Sequence, residues 1–103
     1  MRRDTFNNLL KIEASALIEL VGRRNRAYAG SDPLKCWRKR GLLGLLVRLE
    51  DKLHRFDTFV ENGGATEEEW RELLSDTCGY SLCGLTWLAC GDDPNVKHES
   101  RLR

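Results

Sequence analysis

The sequence lacks most features that mark secreted, membrane-spanning or zinc-binding proteins. Its 103 residues include two prolines, two histidines and four cysteines, and no cysteine pair has Cys-x-x-Cys spacing. A zinc knuckle is therefore not expected, and reduced thiols of a cytoplasmic protein are the simplest interpretation. No apolar run approaches the roughly 20 residues of a membrane span, and the charged N-terminus is unlike a secretory signal. We therefore expect a cytoplasmic location and no membrane contact.

The sequence also has no large excess of positive or negative charge, since its formal net charge is +1. This balance predicts no general affinity for polyanions, and we expect no sequence-specific nucleic-acid partner. The cations are nevertheless concentrated in one place, which is either a solvated loop or a local anion-binding patch. Seven of them fall within eighteen residues: Arg23, Arg24, Arg26, Lys35, Arg38, Lys39 and Arg40.

Hydrophobic periodicity predicts an all-α fold with three long helices and a short helix after the first loop. The long helices are expected over residues 4 to about 26, from Gly41 to about 61, and from Thr66 to near Gly91. The short helix is expected over residues 34–40, capped by Asp32. We expect helical packing completed by oligomerisation, because the last helix is apolar on two faces.

The ends of these helices carry recognisable signals. Asp4 or Thr5 can cap the first helix, and Thr66 with Glu69 has the spacing of a capping box before the third. We expect residues 1–91 to form one helical domain and residues 92–103 to form a flexible tail.

Three carboxylates are not explained by capping. Glu72 and Asp76 are four residues apart beyond the first turn of the third helix, so they share one face. Glu13 falls within the apolar stripe of the first helix, where it either lies at an edge, pairs with an arginine, or points into a polar pocket. If they converge, Glu13, Glu72 and Asp76 could hold Mg²⁺ beside a phosphate. The middle helix offers cations for that phosphate: Arg48, Lys52 and Arg55.

Two aromatic residues bracket the first loop. Tyr28 and Trp37 could fill the core beneath the connection. Alternatively, their position next to arginines would suit stacking on a base with a phosphate nearby.

Three segments together resemble the nucleotide modification associated domain 1 family of phage and bacterial proteins, which is related to the all-α MazG-type nucleoside triphosphate pyrophosphohydrolases. The segments are RRNRAYAGSDPLKCW, GLLVRLEDKLHRF and ELLSDTCGYSLCGL, and the resemblance spans roughly residues 17–88. It implies a nucleotide ligand, a magnesium cofactor and, for a phage protein, the cytoplasm of a bacterial host.

The resemblance also implies particular site residues. Glu72 and Asp76 match the acidic pair of the last helix, and Asp51 with Lys52 and Arg55 matches the motif of the middle helix, which adds Asp51 to the expected magnesium ligands. Tyr28 and Tyr80 match the two tyrosines. The chain departs from the family at Ala27 and Ala29, and its middle helix offers only the adjacent acids Glu50 and Asp51.

Besides a helical assembly protein whose acids only form salt bridges, two functions remain open from the sequence. In one, the chain is a nucleotide-binding protein that, as an enzyme, would use Mg²⁺ to split a nucleoside triphosphate into a monophosphate and pyrophosphate. In the other, it is a non-catalytic phage-encoded module that captures nucleotides or a host protein. No residue is assigned a catalytic role, and the sequence specifies neither base, sugar nor phosphate number.

Overall fold

The computed structural model describes residues 1–91 and 93–97, which form helices and connecting turns and contain no strand. Three helices follow one another along the chain: α1 (Arg3–Ala29), α2 (Lys35–Glu61) and α3 (Glu67–Cys90). The predicted all-α fold is therefore confirmed. Within the described ranges, no helix combines the length and apolarity that crossing a membrane requires.

The expected short helix is the first part of α2 rather than a separate element. α2 bends at Gly41, whose φ of 56° and ψ of −143° lie outside the helical region. Residues with a side chain rarely adopt this conformation, so glycine allows the chain to change direction while remaining helical on both sides. The predicted break at Gly41 is therefore confirmed, and only the helix count differs, because one residue makes the break and no loop separates the two helical segments.

Helix ends follow local hydrogen-bonding rules in two places and depart from them in one. The capping box is confirmed, since Glu69 N–H donates to the Thr66 side chain and Thr66 N–H to the Glu69 side chain. Gly91 ends α3 in the left-handed conformation, with φ 77°. The expected cap at Asp4 or Thr5 was wrong, because α1 starts earlier, with Arg2 at the N-cap position and no side-chain cap.

α2 and α3 form an antiparallel pair that contains the small core. Near the turn between them, the Phe59 ring meets Trp70 edge-to-face at 5.0 Å. At the far end, Trp37 stacks against Trp87 at 6.0 Å. Between these aromatic pairs Leu73 is completely buried. The two helices approach closely where a Cβ on Gly84 would come within 2.8 Å of Leu45, so a side chain there would separate them.

α1 contacts the pair through its C-terminal half. Val21 lies against α3 at Gly79, where an added Cβ would be 3.3 Å from the valine methyl. Every residue from 3 to 16 is exposed. In this N-terminal half, Glu13 reaches α3 through an ion pair with Arg71. The radius of gyration is 16.7 Å.

Candidate functional site

A cleft of about 620 Å³ lies where the C-terminal half of α1 faces the kink of α2 and the middle of α3. We call it the basic cleft, because four cationic side chains line it: Arg24, Lys39, Arg40 and Arg48. Its volume is within the range of small-molecule sites. Three of these cations come from the first half of α2, so the bend at Gly41 determines how they are arranged around the cleft.

Asp76 is the one carboxylate among the described residues that line the basic cleft. Its oxygens accept hydrogen bonds from Arg24 at 2.6 Å and from Lys52 at 3.2 Å, and its side chain is 14% exposed. Burial raises the pKa of Asp76, but the bonds from Arg24 and Lys52 outweigh that effect and hold its pKa below the usual range. Asp76 is thus an ionised counter-charge that joins all three helices.

Three aromatic side chains line the same cleft. Tyr28 is 79% exposed at the end of α1, so the interpretation of Tyr28 as a core residue was wrong. Trp37 is half-buried and stacks on the buried Trp87, so it both covers the core and presents an edge to the cleft. Tyr80 lies beneath the Lys52 ammonium, which is 5.7 Å from its ring centroid. A planar ligand would therefore meet aromatic surface as well as cations.

Small and neutral groups complete the lining. Gly79 and Gly44 are part of the lining, and a Cβ on Gly44 would come within 2.8 Å of the Arg40 side chain. Cys83 is also part of the lining, and burial raises the pKa of its thiol. The thiol is therefore neutral at pH 7 and adds no negative charge to the cleft.

The predicted magnesium ligands do not converge. Glu13 is hydrogen-bonded to Arg71 at 3.2 Å on the exposed surface, as one of the sequence interpretations anticipated. Glu72 and Asp51 are exposed, and neither lines the basic cleft with Asp76. No group of three or more His, Cys, Asp or Glu side chains in the described ranges is arranged to hold a metal ion. The four residues therefore do not fit a magnesium ligand set, and the cofactor remains an untested prediction.

The predicted phosphate-binding cations divide into three environments. Arg48 lines the basic cleft. Lys52 forms an ion pair with Asp76, and Arg55 is not among the residues that line the basic cleft. Sequence reasoning did not select Arg24, Lys39 and Arg40 as site residues, although it identified the cation-rich segment that contains them. That density of positive charge was the available signal.

A further residue that sequence reasoning missed is Asp93, within the segment expected to be a tail. It is 3% exposed and accepts hydrogen bonds from the Trp87 indole at 2.7 Å and from Leu42 N–H at 2.8 Å. These bonds, the indole's first, hold the pKa of Asp93 below its usual range. The carboxylate thus caps the part of α2 that begins after the bend. Positions 92 and 98–103 of the predicted tail lie outside the described residues.

Comparison of the chain with protein-family models, with curated proteins and with solved structures gave no match. The family resemblance therefore remains an expectation.

Proposed function

We propose that this chain binds a nucleotide in the basic cleft and does not hydrolyse it. The observation that carries the proposal is the combination of four cations and three aromatic side chains around one cleft of about 620 Å³. Cations suit phosphate oxygens, and aromatic faces suit a base. The resemblance of three sequence segments to a nucleotide-related family supports the same ligand class.

Charge balance in the cleft favours an anion. Among the described residues, Asp76 already has two cationic partners. Lys39, Arg40 and Arg48 take part in no ion pair within those ranges. Three like charges around one cleft repel one another, and a ligand with several phosphate charges would relieve that repulsion. We therefore expect affinity to increase with the number of phosphates.

Hydrolysis is not part of the proposal, because the cleft offers little to activate water. A magnesium-dependent reaction needs several oxygen ligands around the ion. Among the described residues that line the cleft, Asp76 is the one acid, and its oxygens accept hydrogen bonds from Arg24 and Lys52. The predicted self-association remains within the proposal as a nucleotide-binding homo-oligomer.

The proposal is tested by titrating the protein with AMP, ADP and ATP in a calorimeter, with and without Mg²⁺. We expect binding in both conditions, with no release of pyrophosphate or phosphate. Arg48→Ala should raise the dissociation constant about tenfold, the equivalent of one charge-assisted hydrogen bond. Arg55→Ala is the matched control, since Arg55 is on the same helix outside the lining.

Two substitutions of Tyr28 test whether a nucleotide base stacks on its aromatic ring. Tyr28→Ala should weaken binding severalfold, whereas Tyr28→Phe should leave it nearly unchanged, because the ring supplies the contact. The absence of binding by every nucleotide would refute the proposal and leave a helical assembly protein. Magnesium-dependent release of pyrophosphate would instead favour the enzyme.

A further inference from the structure

The chain exposes far more surface than a monomer of its size. Its accessible surface is 8460 Å² for a mass of 11.8 kDa, whereas folded monomers of that mass expose about 5,900 Å². Its radius of gyration of 16.7 Å likewise exceeds the roughly 13 Å expected for a compact domain of this length. The excess area per chain is of the size that obligate homo-oligomers bury.

The uncovered apolar surface is organised in two rows. The first, which we call the α1 stripe, consists of Phe6, Leu9 and Leu10 and continues the line of Leu17 and Val21. The line is covered by α3 at its C-terminal end, where Val21 meets Gly79, and it is exposed over residues 3–16. The same helical face is therefore packed within the chain only at its C-terminal end; in its exposed part, Glu13 forms a surface ion pair with Arg71 of α3, and the apolar residues stay uncovered.

The second row lies on α2. Its apolar residues repeat at spacings of four and three, and alternate members differ in burial. Leu42, Leu49 and Phe56 are half-buried. Leu46, Leu53 and Val60, seven residues apart, are 53%, 62% and 73% exposed. We call these three the outer row. A seven-residue repeat of apolar side chains is the pattern that packs against another helix.

We propose that a second copy of this chain covers both rows, with the α1 stripe of each protomer lying on the outer row of the other. The α1 stripe spans about 6 Å of helix from Phe6 to Leu10, so it lies on part of the outer row, which spans about 21 Å from Leu46 to Val60. Each chain carries one α1 stripe and one outer row, so a twofold axis that relates two chains forms both stripe-on-row contacts at once. This inference concerns a different surface from the basic cleft and does not depend on nucleotide binding.

The charges beside the two rows are complementary. Arg2 and Arg3 are exposed within about one turn of Phe6, and Arg3 lies 5.5 Å from the Phe6 ring centroid, whereas Glu13 on the same face is paired with Arg71 of its own chain. The outer row is flanked by acids four residues after Leu46 and Leu53. These acids, all exposed, are Glu50 and Asp57, with Glu61 next to Val60. Opposite charges at the rim would favour α1 on α2 over two like surfaces meeting.

The experiment measures mass by sedimentation equilibrium at about 10 μM, a concentration at which an obligate dimer stays associated. We expect the wild type to be dimeric, and Leu9→Glu and Leu53→Lys each to be monomeric or unfolded. Ile12→Glu is the matched control, because Ile12 is exposed on the same half of α1 but points away from the stripe. It should leave the dimer intact.

A mixing experiment separates loss of the interface from loss of folding. Co-expressed Leu9→Glu and Leu53→Lys chains retain one intact stripe-on-row contact, and the other contact pairs a glutamate with a lysine. We expect this mixture to form a heterodimer that neither variant forms alone. A monomeric wild type would overturn the inference, and so would an oligomer that both substitutions leave intact.

Discussion

At the scale of single residues, Asp76 shows how a side chain with a ligand-like spacing can have another role. Its carboxylate lies between Arg24 of α1 and Lys52 of α2. The 3.6-residue period placed Asp76 on one face with Glu72, but the period says nothing about what that face meets. Helix packing brings two cations to the Asp76 carboxylate, and a metal ion would have to displace both of them.

Asp76→Asn distinguishes the two roles. If Asp76 is a counter-charge, its removal should strengthen nucleotide binding about threefold or more, because the cleft loses its negative charge. Stability should fall by about 1–2 kcal/mol, since Lys52 loses its partner in a partly buried site. Calorimetric titration and chemical denaturation measure the two effects.

A magnesium ligand would give the opposite result, with binding or turnover lost only when Mg²⁺ is present. Asp57→Asn serves as the control, because Asp57 is an exposed acid on α2 outside the cleft lining.

At the scale of elements, the bend of α2 shapes the cleft. Gly41 leaves the helical region, and the Asp93 carboxylate occupies the space where a Cβ would be. The same carboxylate binds Leu42 N–H and the Trp87 indole. Because Trp87 in turn stacks on Trp37, a single carboxylate connects the bend to an aromatic wall of the basic cleft.

Gly41→Ala should destabilise the protein by about 1–3 kcal/mol, since alanine adopts this backbone conformation only with strain. The added methyl would also displace Asp93. Gly22→Ala is the contrasting variant: Gly22 lies inside α1 with no atom near an added Cβ, so it should gain about 0.5–1 kcal/mol from helix propensity. Denaturant midpoints compare the two, and equal losses would contradict the role assigned to the bend.

At the scale of the whole molecule, the hydrophobic core is small. The buried hydrophobic residues among those described are Ala29, Phe59, Leu73 and Trp87. Hydrophobic burial is the main favourable term in folding, so a chain with this core would gain stability from further burial. Association between copies would supply it, and folding and assembly would then be one equilibrium.

The thermal midpoint should therefore depend on protein concentration. For a dimer of chains this long, we expect it to rise by about 3 °C for each tenfold increase in concentration. Scanning calorimetry from 5 to 500 μM measures this dependence. Leu9→Glu, if it folds, should show none, and a constant wild-type midpoint would indicate that each chain unfolds alone.

The sequence by itself determined the helices and several of their ends. Apolar residues at helical spacing, Thr66 with Glu69, and glycines at positions 41 and 91 act through hydrogen bonds and backbone angles within a few residues. Such local interactions can be deduced from the order of residues alone. The cation-rich segment and Tyr28 also pointed towards the basic cleft before its geometry was known.

Only the tertiary structure decided which charges meet. Asp76 binds an arginine 52 residues away, Glu13 binds one 58 residues away, and Asp93 reaches back to Leu42. Each contact depends on how far helices are rotated and displaced against one another, and that arrangement results from packing over the whole chain. The helical pattern is the same whether a carboxylate ends beside a cation, a metal ion or water.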